Sequence, residues 1–241
     1  MRKGLHAAAL ALLLAACGAP PPRPSNPHPA APPLPAAAHG TAYRIDSSHS
    51  ELRLLVYRAG ALAALGHDHV IVNRALEGWV NPAGSAAGAA FFLSIPTSGF
   101  VVDEAAARAQ EGADFSAAVG DDARDGTLHN MLSPALLDAQ NYAAITVQSI
   151  SIEPRAAQAP PADGQVAPAG MQATLRITVA GHDSSLVLPF TVETSAGRLH
   201  ALAAFTVQQS ALGLTPFTAF LGALRVDDQV RVKLDLLAVR D

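Results

Sequence analysis

Two histidines separated by one residue are the side chains of this chain best placed to bind a metal ion. His67, Asp68 and His69 precede a β-branched run, Val70-Ile71-Val72. Residues two apart in a strand point to the same face, so His67 and His69 could ligate zinc or copper with a third histidine. In the alternative interpretation, the Asp68 carboxylate accepts hydrogen bonds from backbone groups, and the histidines lie at a rim of the fold with their hydrogen bonds satisfied there. Four other histidines could join the pair only through the fold: His49, His129, His182 and His200.

The one cysteine, Cys17, lies at the end of an export signal. The basic pair Arg2-Lys3 precedes an apolar run, Ala7 to Leu14, which is too short to span a bilayer. Leu14-Ala15-Ala16-Cys17 resembles the bacterial lipobox, whose cysteine is lipidated and becomes the new N-terminus. The resemblance implies several acyl chains, palmitate among them, and two or more chains give stable anchoring. A plain signal peptide with an incidental cysteine is the alternative.

Sequence motifs of catalysis are absent. The chain has no Gly-x-Ser-x-Gly, no glycine-rich phosphate loop followed by Lys-Ser/Thr, and no cysteine nucleophile besides Cys17. Asp68 beside two histidines could do acid–base work, but many folds bring such neighbours together, so we expect no enzyme. Arg53 or Arg74 could hold a lipid headgroup or carboxylate, unless each points outward into solvent. The net charge of −4 argues against nucleic acid as a partner.

Alternating apolar residues predict that most of the chain from residue 43 onward forms β-strands. Leu52, Leu54 and Val56 fall on one side of an extended segment, whereas Leu55 and Tyr57 fall on the other. Both sides are partly apolar, as expected where a sheet curls around an interior and is also covered outside. Short helices are predicted over 104–110 and 121–132, the second capped by Asp121 or Asp122. Later strands are predicted at 89–95, 146–152, 171–180, 185–193, 198–208 and 229–239.

The chain divides into three parts: a lipoprotein signal peptide at 1–17, a tether at 18–42 and a β-barrel domain at 43–241. The tether contains nine of the 18 prolines and cannot form a core. At about 3.1 Å per residue it could reach roughly 75 Å. The domain could therefore sit well clear of a lipid surface.

Two segments of the domain resemble the YceI-like family. Tyr43-Arg44-Ile45-Asp46-Ser47-Ser48-His49-Ser50, followed by an apolar strand and a Gly-His pair, is similar to the family's opening motif. His129 to Asp138 and then Tyr142 to Ser149 resemble its helix–loop–strand, with Leu136-Leu137 in place of aromatic residues. The resemblance covers roughly residues 43–239. It implies an all-β fold, a closed antiparallel lipocalin-like barrel of about eight strands that holds an isoprenoid or another long lipid.

The residues predicted to point into the barrel are mostly aliphatic and would favour an apolar ligand. The same alternation is typical of a solid core, so a structural or stress-linked protein with a filled interior is an open alternative. The predicted lining residues are Leu54, Val56, Val70, Val72, Trp79, Phe91, Leu93, Ile145, Val147, Leu175, Ile177, Leu186, Leu188, Phe190, Phe205 and Leu234.

We therefore expect an exported lipoprotein, anchored to a bacterial membrane, with its domain facing the periplasm. Gly18 follows the cysteine, which favours the outer membrane under the enteric sorting rule. The expected partners are a bound isoprenoid or other lipid and the membrane, through acylated Cys17. No cofactor is required and no nucleic acid is expected. A homodimer and a periplasmic metal-binding module built on His67 and His69 stay open as alternatives.

Overall fold

The computed structural model describes residues 42–82, 88–155 and 170–240. Cys17, the signal peptide and almost all of the tether lie outside the described residues, so these expectations stay predictions. Most of the predicted loop from Pro154 to Gly170 also lies outside them, although Pro154 and Gly170 themselves belong to strands.

The described residues form one antiparallel sheet of twelve strands. Several strands extend beyond their predicted bounds, whereas 198–208 matches the prediction at both ends. The strands are β1 Tyr43–Ile45, β2 Glu51–Ala59, β3 His69–Asn73, β4 Glu77–Asn81, β5 Ala90–Pro96, β6 Phe100–Val102, β7 Ala144–Arg155, β8 Gly170–Val179, β9 His182–Ser195, β10 Arg198–Gln208, β11 Thr218–Ala219 and β12 Leu224–Arg240.

Six of the short strands combine into three long, interrupted ones. β1 and β2 both pair with β12, one after the other along its length. On their other side, β4 pairs with β1 and β3 pairs with β2. In the next layer of pairs, β5 pairs with β4 and β6 pairs with β3. With these pairs counted as single strands, eight strands follow one another in an up-and-down order. β1 lies between β4 and β12 and closes the sheet on itself. The predicted closed antiparallel barrel of about eight strands is confirmed.

Side-chain hydrogen bonds hold two of the interruptions in place. The Asp46 carboxylate accepts a hydrogen bond from Ser48 N at 3.1 Å in the turn between β1 and β2. Between β3 and β4, Asn73 Oδ1 accepts from Ala75 N at 2.9 Å, and Asn73 Nδ2 donates to Pro96 O at 2.8 Å. These contacts satisfy backbone groups that the sheet leaves unpaired where the strands break.

Two helices, α1 Ala105–Ala109 and α2 Asp121–Leu132, lie between β6 and β7. The predicted cap of α2 is wrong, because Gly120 holds the N-cap position and no side chain caps the helix. Asp121 and Asp122 instead lie in the first turn, where carboxylates interact favourably with the helix dipole. Within the described ranges, no helix has the length and apolarity that a membrane crossing requires.

α1 and the turn after it cover the outer face of the barrel at β2 and β3. Leu55, Val70 and Val72 pack there with Ala107 and Phe115 in a fully buried cluster, which we call the outer cluster. The Phe115 ring also lies 5.5 Å from that of Tyr57. The sequence-based expectation that something covers the outside of this sheet is therefore confirmed, and the cover is the α1 segment.

Ion pairs surround the outer cluster, and Arg53 and Arg74 both take part in them. Arg53 Nη1 lies 2.7 Å from a Glu111 carboxylate oxygen, and Lys233 Nζ lies 2.6 Å from the other. Arg74 pairs with Glu51 at 2.7 Å and with Glu104 at 2.6 Å. Both arginines therefore hold carboxylates of this chain on the outer face, and the idea that either anchors a ligand inside the barrel is wrong.

Candidate ligand-binding site

The barrel encloses a cavity of about 890 Å³. This volume falls within the range of known small-molecule sites. Its wall is formed by alternate, mostly aliphatic residues of the long strands, many of them only partly buried because they face the cavity. An eight-stranded barrel is just wide enough for its side chains to leave such a space at the centre. The interior is hollow, which the sequence did not distinguish from a solid core.

Most of the predicted lining residues lie on this wall. They come from β2, β5, β7, β8, β9, β10 and β12, whose alternation in the sequence gave the correct inward face. Their contact with a ligand stays a prediction. The residues are Leu54, Val56, Phe91, Leu93, Ile145, Val147, Leu175, Ile177, Leu186, Leu188, Phe190, Phe205 and Leu234.

Val70, Val72 and Trp79 do not line the cavity, so these three predictions are wrong. His69 and Ile71 are the residues of β3 that face inward, and Val70 and Val72 belong to the outer cluster. A one-residue change of phase moves a whole strand's side chains to the opposite face. In β4 the inward residue is Val80, and Trp79 lies on the other face.

The polar lining residues lie almost entirely at one end of the cavity, which we call the polar end. This end is formed by the β2–β3 connection, α2 and the segment that joins β10 to β12. At the opposite end, Thr194 is the one polar residue among the described residues of the wall. The polar end is lined by Tyr57, Arg58, His67, His69, Thr127, Asn130, Gln209 and Arg225.

A buried aspartate fixes one of the histidines at the polar end. Asp103 follows β6 with a left-handed backbone, φ 54°, which Asp tolerates better than most residues. Its Oδ2 lies 2.6 Å from His69 Nδ1, and its Oδ1 accepts from Val70 N at 2.9 Å and from Arg108 Nη1 at 2.5 Å. Sequence reasoning missed this group, because Asp103 and Arg108 lie more than thirty residues from His69 and follow no recognised spacing.

Asp103 is almost completely buried, with only 1% of the residue exposed, and its negative charge is nevertheless stabilised. Burial on its own would raise the pKa of Asp103, but the hydrogen bonds from His69 and Val70 N outweigh it and lower the pKa below its ordinary value. Arg108 supplies the compensating positive charge. Asp103 therefore acts as an ionised acceptor that orients the imidazole ring of His69.

The two histidines predicted as metal ligands both reach the polar end, with ring centroids 6.1 Å apart. Nowhere in the described ranges do three His, Cys, Asp or Glu side chains come together in a metal-binding arrangement. His49 pairs with Asp46, and His200 pairs with an aspartate on β12. Asp68 accepts a hydrogen bond from the backbone N of Arg58 at 2.9 Å. The alternative interpretation predicted a contact of this kind between Asp68 and the backbone.

Several solved structures are similar to this one, and two of them are described here by their alignment. BcnA of Burkholderia cenocepacia aligns with a TM-score of 0.54 and 16% identity, over 81% of this chain and 99% of its own. A polyisoprenoid-binding domain from Saccharophagus degradans, implicated in plant cell wall breakdown, aligns with a TM-score of 0.52 and 15% identity, over 84% of this chain and 100% of its own. At such identities the likeness shows the fold. No curated protein matches the sequence.

The sequence itself places the chain in a family. The family model of the YceI-like domain matches residues 43–238, which is well over half of the chain. The match includes every strand of the barrel except the last two residues of β12. The chain belongs to the YceI-like family.

Proposed function

We propose that the protein holds a polyisoprenoid or a similar long hydrophobic chain inside its barrel, as a carrier or store that makes and breaks no bond. The observation that carries the proposal is the cavity of about 890 Å³ with an almost continuous aliphatic wall. Each methylene of a guest that leaves water for such a wall contributes about 0.8 kcal/mol. Affinity should therefore increase with chain length until the cavity is filled.

Family and fold support the same class of ligand. The chain is a member of the YceI-like family, and a structurally similar domain from Saccharophagus degradans is a polyisoprenoid-binding domain. Since one fold can host many functions, this likeness on its own would not select a ligand. The aliphatic wall of this chain's own cavity is the independent support.

We also propose that the barrel is exported and anchored to the membrane. Acylation of Cys17 would tether the domain through residues 18–42 on the periplasmic side, with the outer membrane favoured by Gly18. A Cys17→Ser variant should lose acylation and leave the membrane fraction. Acylated protein in that variant, or wild type without acyl chains, would contradict the anchor and leave the ligand proposal intact.

Ligand binding is tested by blocking the cavity from one strand. Ala203 of β10 lines the cavity, whereas its neighbour Ala204 is exposed on the outside. We expect the wild-type chain to co-purify with lipid in native mass spectrometry and to bind a fluorescent polyprenyl probe. The Ala203→Trp variant should lose most of this binding, and Ala204→Trp should keep it. A wild-type chain without lipid or probe binding would overturn the proposal.

A further inference from the structure

Two neighbouring strands of the barrel wall, β9 and β10, are paired over less than half of their length. We call the stretch beyond their last pair, 182–190 on β9 and 203–208 on β10, the seam. We propose that a long hydrophobic chain enters and leaves the cavity sideways, through the seam. The inference rests on the proposed function, because it concerns the path by which the guest reaches the aliphatic wall.

The pairing of β9 with β10 is limited to the end nearest the hairpin that joins them. The last pair in register is Leu202 opposite Thr191, and within residues 182–208 no further pair follows it. By contrast, β10 pairs with β12 over all eleven of its residues. β9 likewise continues in pairs with β8 as far as its own first residue. Each edge of the seam is therefore held from its other side.

The hairpin turn fixes which backbone groups face the seam. Ser195 and Arg198 flank a two-residue turn, Ala196-Gly197, with φ angles of 45° and 77°. Positive φ at both central residues is typical of a type I′ hairpin, whose flanking pair exchanges both hydrogen bonds. The N–H of Ser195 therefore points to β10, and so does the N–H position of every second residue before it, as far as residue 189.

Pro189 explains why the pairing stops. In the same register, the next hydrogen-bonded pair would be Pro189 opposite Ala204. Pro189 has no N–H to donate, and its ring occupies the space on the β10 side where that hydrogen would lie. Within sheets, proline is accordingly found where a strand has a free edge. On its other side, Pro189 stays paired with Gln172 of β8. The sequence itself therefore keeps β10 apart from β9 at this point.

The cavity reaches the outside where the seam begins. Odd-numbered residues of β10 line the cavity, whereas the even-numbered Ala204 and Thr206 are exposed on the outside. Leu202 breaks this rule, because it is exposed on the outer face and also lines the cavity. Val192 of β9 lines the cavity as well and is 37% exposed. The wall between these two strands is therefore open.

The seam suits an extended apolar chain in length and in chemistry. At about 3.3 Å per residue, the seam residues of β10 span about 20 Å. At the far end the segment after β10 crosses to β9, where Ser184 Oγ donates to Ala211 O at 3.0 Å. Val187 and Leu202 add exposed apolar side chains beside the opening. An opening of this length lets a chain move in along much of its length at once, instead of threading end-first.

The test closes the seam with a disulfide. Val187→Cys/Thr206→Cys places two thiols on the outer face, opposite each other in the continued register. A disulfide needs Cα atoms within about 7 Å, so its formation draws the strands together. The control, Glu193→Cys/His200→Cys, joins the same strands where they are already paired. Both are made in the full-length chain with Cys17→Ser, so that no third thiol competes.

Stopped-flow mixing with a fluorescent polyprenyl probe measures the effect. In the oxidised seam variant, association and dissociation should both slow about tenfold or more, whereas Kd should change less than about twofold, because the cavity wall is the same. Reduction should restore both rates, and oxidation of the control should leave them unchanged. An oxidised seam variant that exchanges the probe as fast as its reduced form would overturn the inference.

A second measurement needs no variant and covers the case in which the seam thiols do not oxidise. In the wild type without ligand, the amides of Val187 and Thr206 face the seam, whereas those of their neighbours Leu188 and Val207 face β8 and β12. Hydrogen exchange should be about a hundredfold faster at the first two. Equal protection of all four amides would show that the seam is closed and would overturn the inference.

The outcomes also separate this inference from the proposed function. Unchanged exchange of the probe in the cross-linked variant would reject the seam as the entrance and leave the carrier function standing. Failure of the probe to bind the wild type would reject both. Slow exchange that appears only in the oxidised seam variant would establish the path.

Discussion

Two apolar regions lie on opposite faces of the same strands, and one is solid whereas the other is hollow. β2 and β3 contribute Leu55, Val70 and Val72 to the outer cluster, where Val70 is 0% and Val72 1% exposed. The same strands contribute Leu54 and Ile71 to the cavity wall. The side-chain types are nearly identical. What differs is the opposing surface: α1 covers the outer face closely, whereas the barrel's curvature keeps the inner walls apart.

The comparison predicts that the two regions have different roles in stability and in ligand binding. A side chain truncated in a close-packed cluster leaves a new void, and its neighbours lose their contacts. A side chain truncated on the wall of an existing cavity loses contacts on one side only, because the other side already faces open space. The outer cluster should therefore determine stability, and the inner wall should determine affinity for the ligand.

The largest expected effect is the loss of an aromatic ring from the outer cluster. Phe115 is 2% exposed and packs against Tyr57 and Arg108. Phe115→Ala should destabilise the fold by about 3–5 kcal/mol, whereas Phe190→Ala on the cavity wall should cost roughly 1 kcal/mol. Urea unfolding of both variants measures the difference. Equal losses would show that the two regions do not differ in the way proposed.

Asp103 is the junction between the regions, since it binds Arg108 of α1 and His69 of the cavity wall. Asp103→Asn leaves Arg108 buried without its counter-charge and should cost about 3 kcal/mol in unfolding free energy. The exposed pair of Asp121 and Arg124 is the control, and Asp121→Asn should change stability by less than about 0.5 kcal/mol. A neutral effect of Asp103→Asn would mean that the α1 segment is held by apolar contacts alone.

Lowering the pH tests the contribution of Asp103 in the wild-type protein, without a substitution. Burial would raise the pKa of Asp103 and of Glu111, but their hydrogen bonds and ion pairs lower both pKa values below the ordinary range. A lowered folded-state pKa contributes stability above the ordinary pKa, and this stability is lost as the pH falls through the folded value. Wild-type stability should therefore fall below about pH 4. Asp103→Asn should show a shallower fall, and a curve as steep as the wild type's would exclude Asp103 as a cause.

The smallest effect on stability is expected at the cavity wall, together with a measurable effect on binding. Leu188 faces the cavity from β9, and its neighbour Val187 is 60% exposed on the outside. Leu188→Ala should change the unfolding free energy by less than about 1 kcal/mol and weaken polyprenyl binding about fivefold. Val187→Ala should change neither. A large stability loss with unchanged binding would reverse the assignment of the two regions.

Alternation, which is a local property of the sequence, predicted the strands and most of the inner wall, and the resemblance to the YceI-like family implied the closed barrel. The sequence did not predict the phase of β3, since His69-Val70-Ile71-Val72 is buried on both faces and gives no alternation to read. It also could not distinguish the cavity from a solid core, because both require the same inward residues. The link from Asp103 to His69 depends on the pairing of β3 with β6, which only the folded sheet brings about.

The aliphatic wall has a consequence for how such barrels can diverge. Dozens of similar aliphatic side chains line the cavity, so no single one is indispensable to its wall. Exchange of one aliphatic residue for another therefore leaves a cavity of comparable size. Redundancy of this kind is compatible with the 15–16% identity at which similar barrels still superimpose. Related proteins with such a barrel can therefore diverge far in sequence while the internal channel is retained.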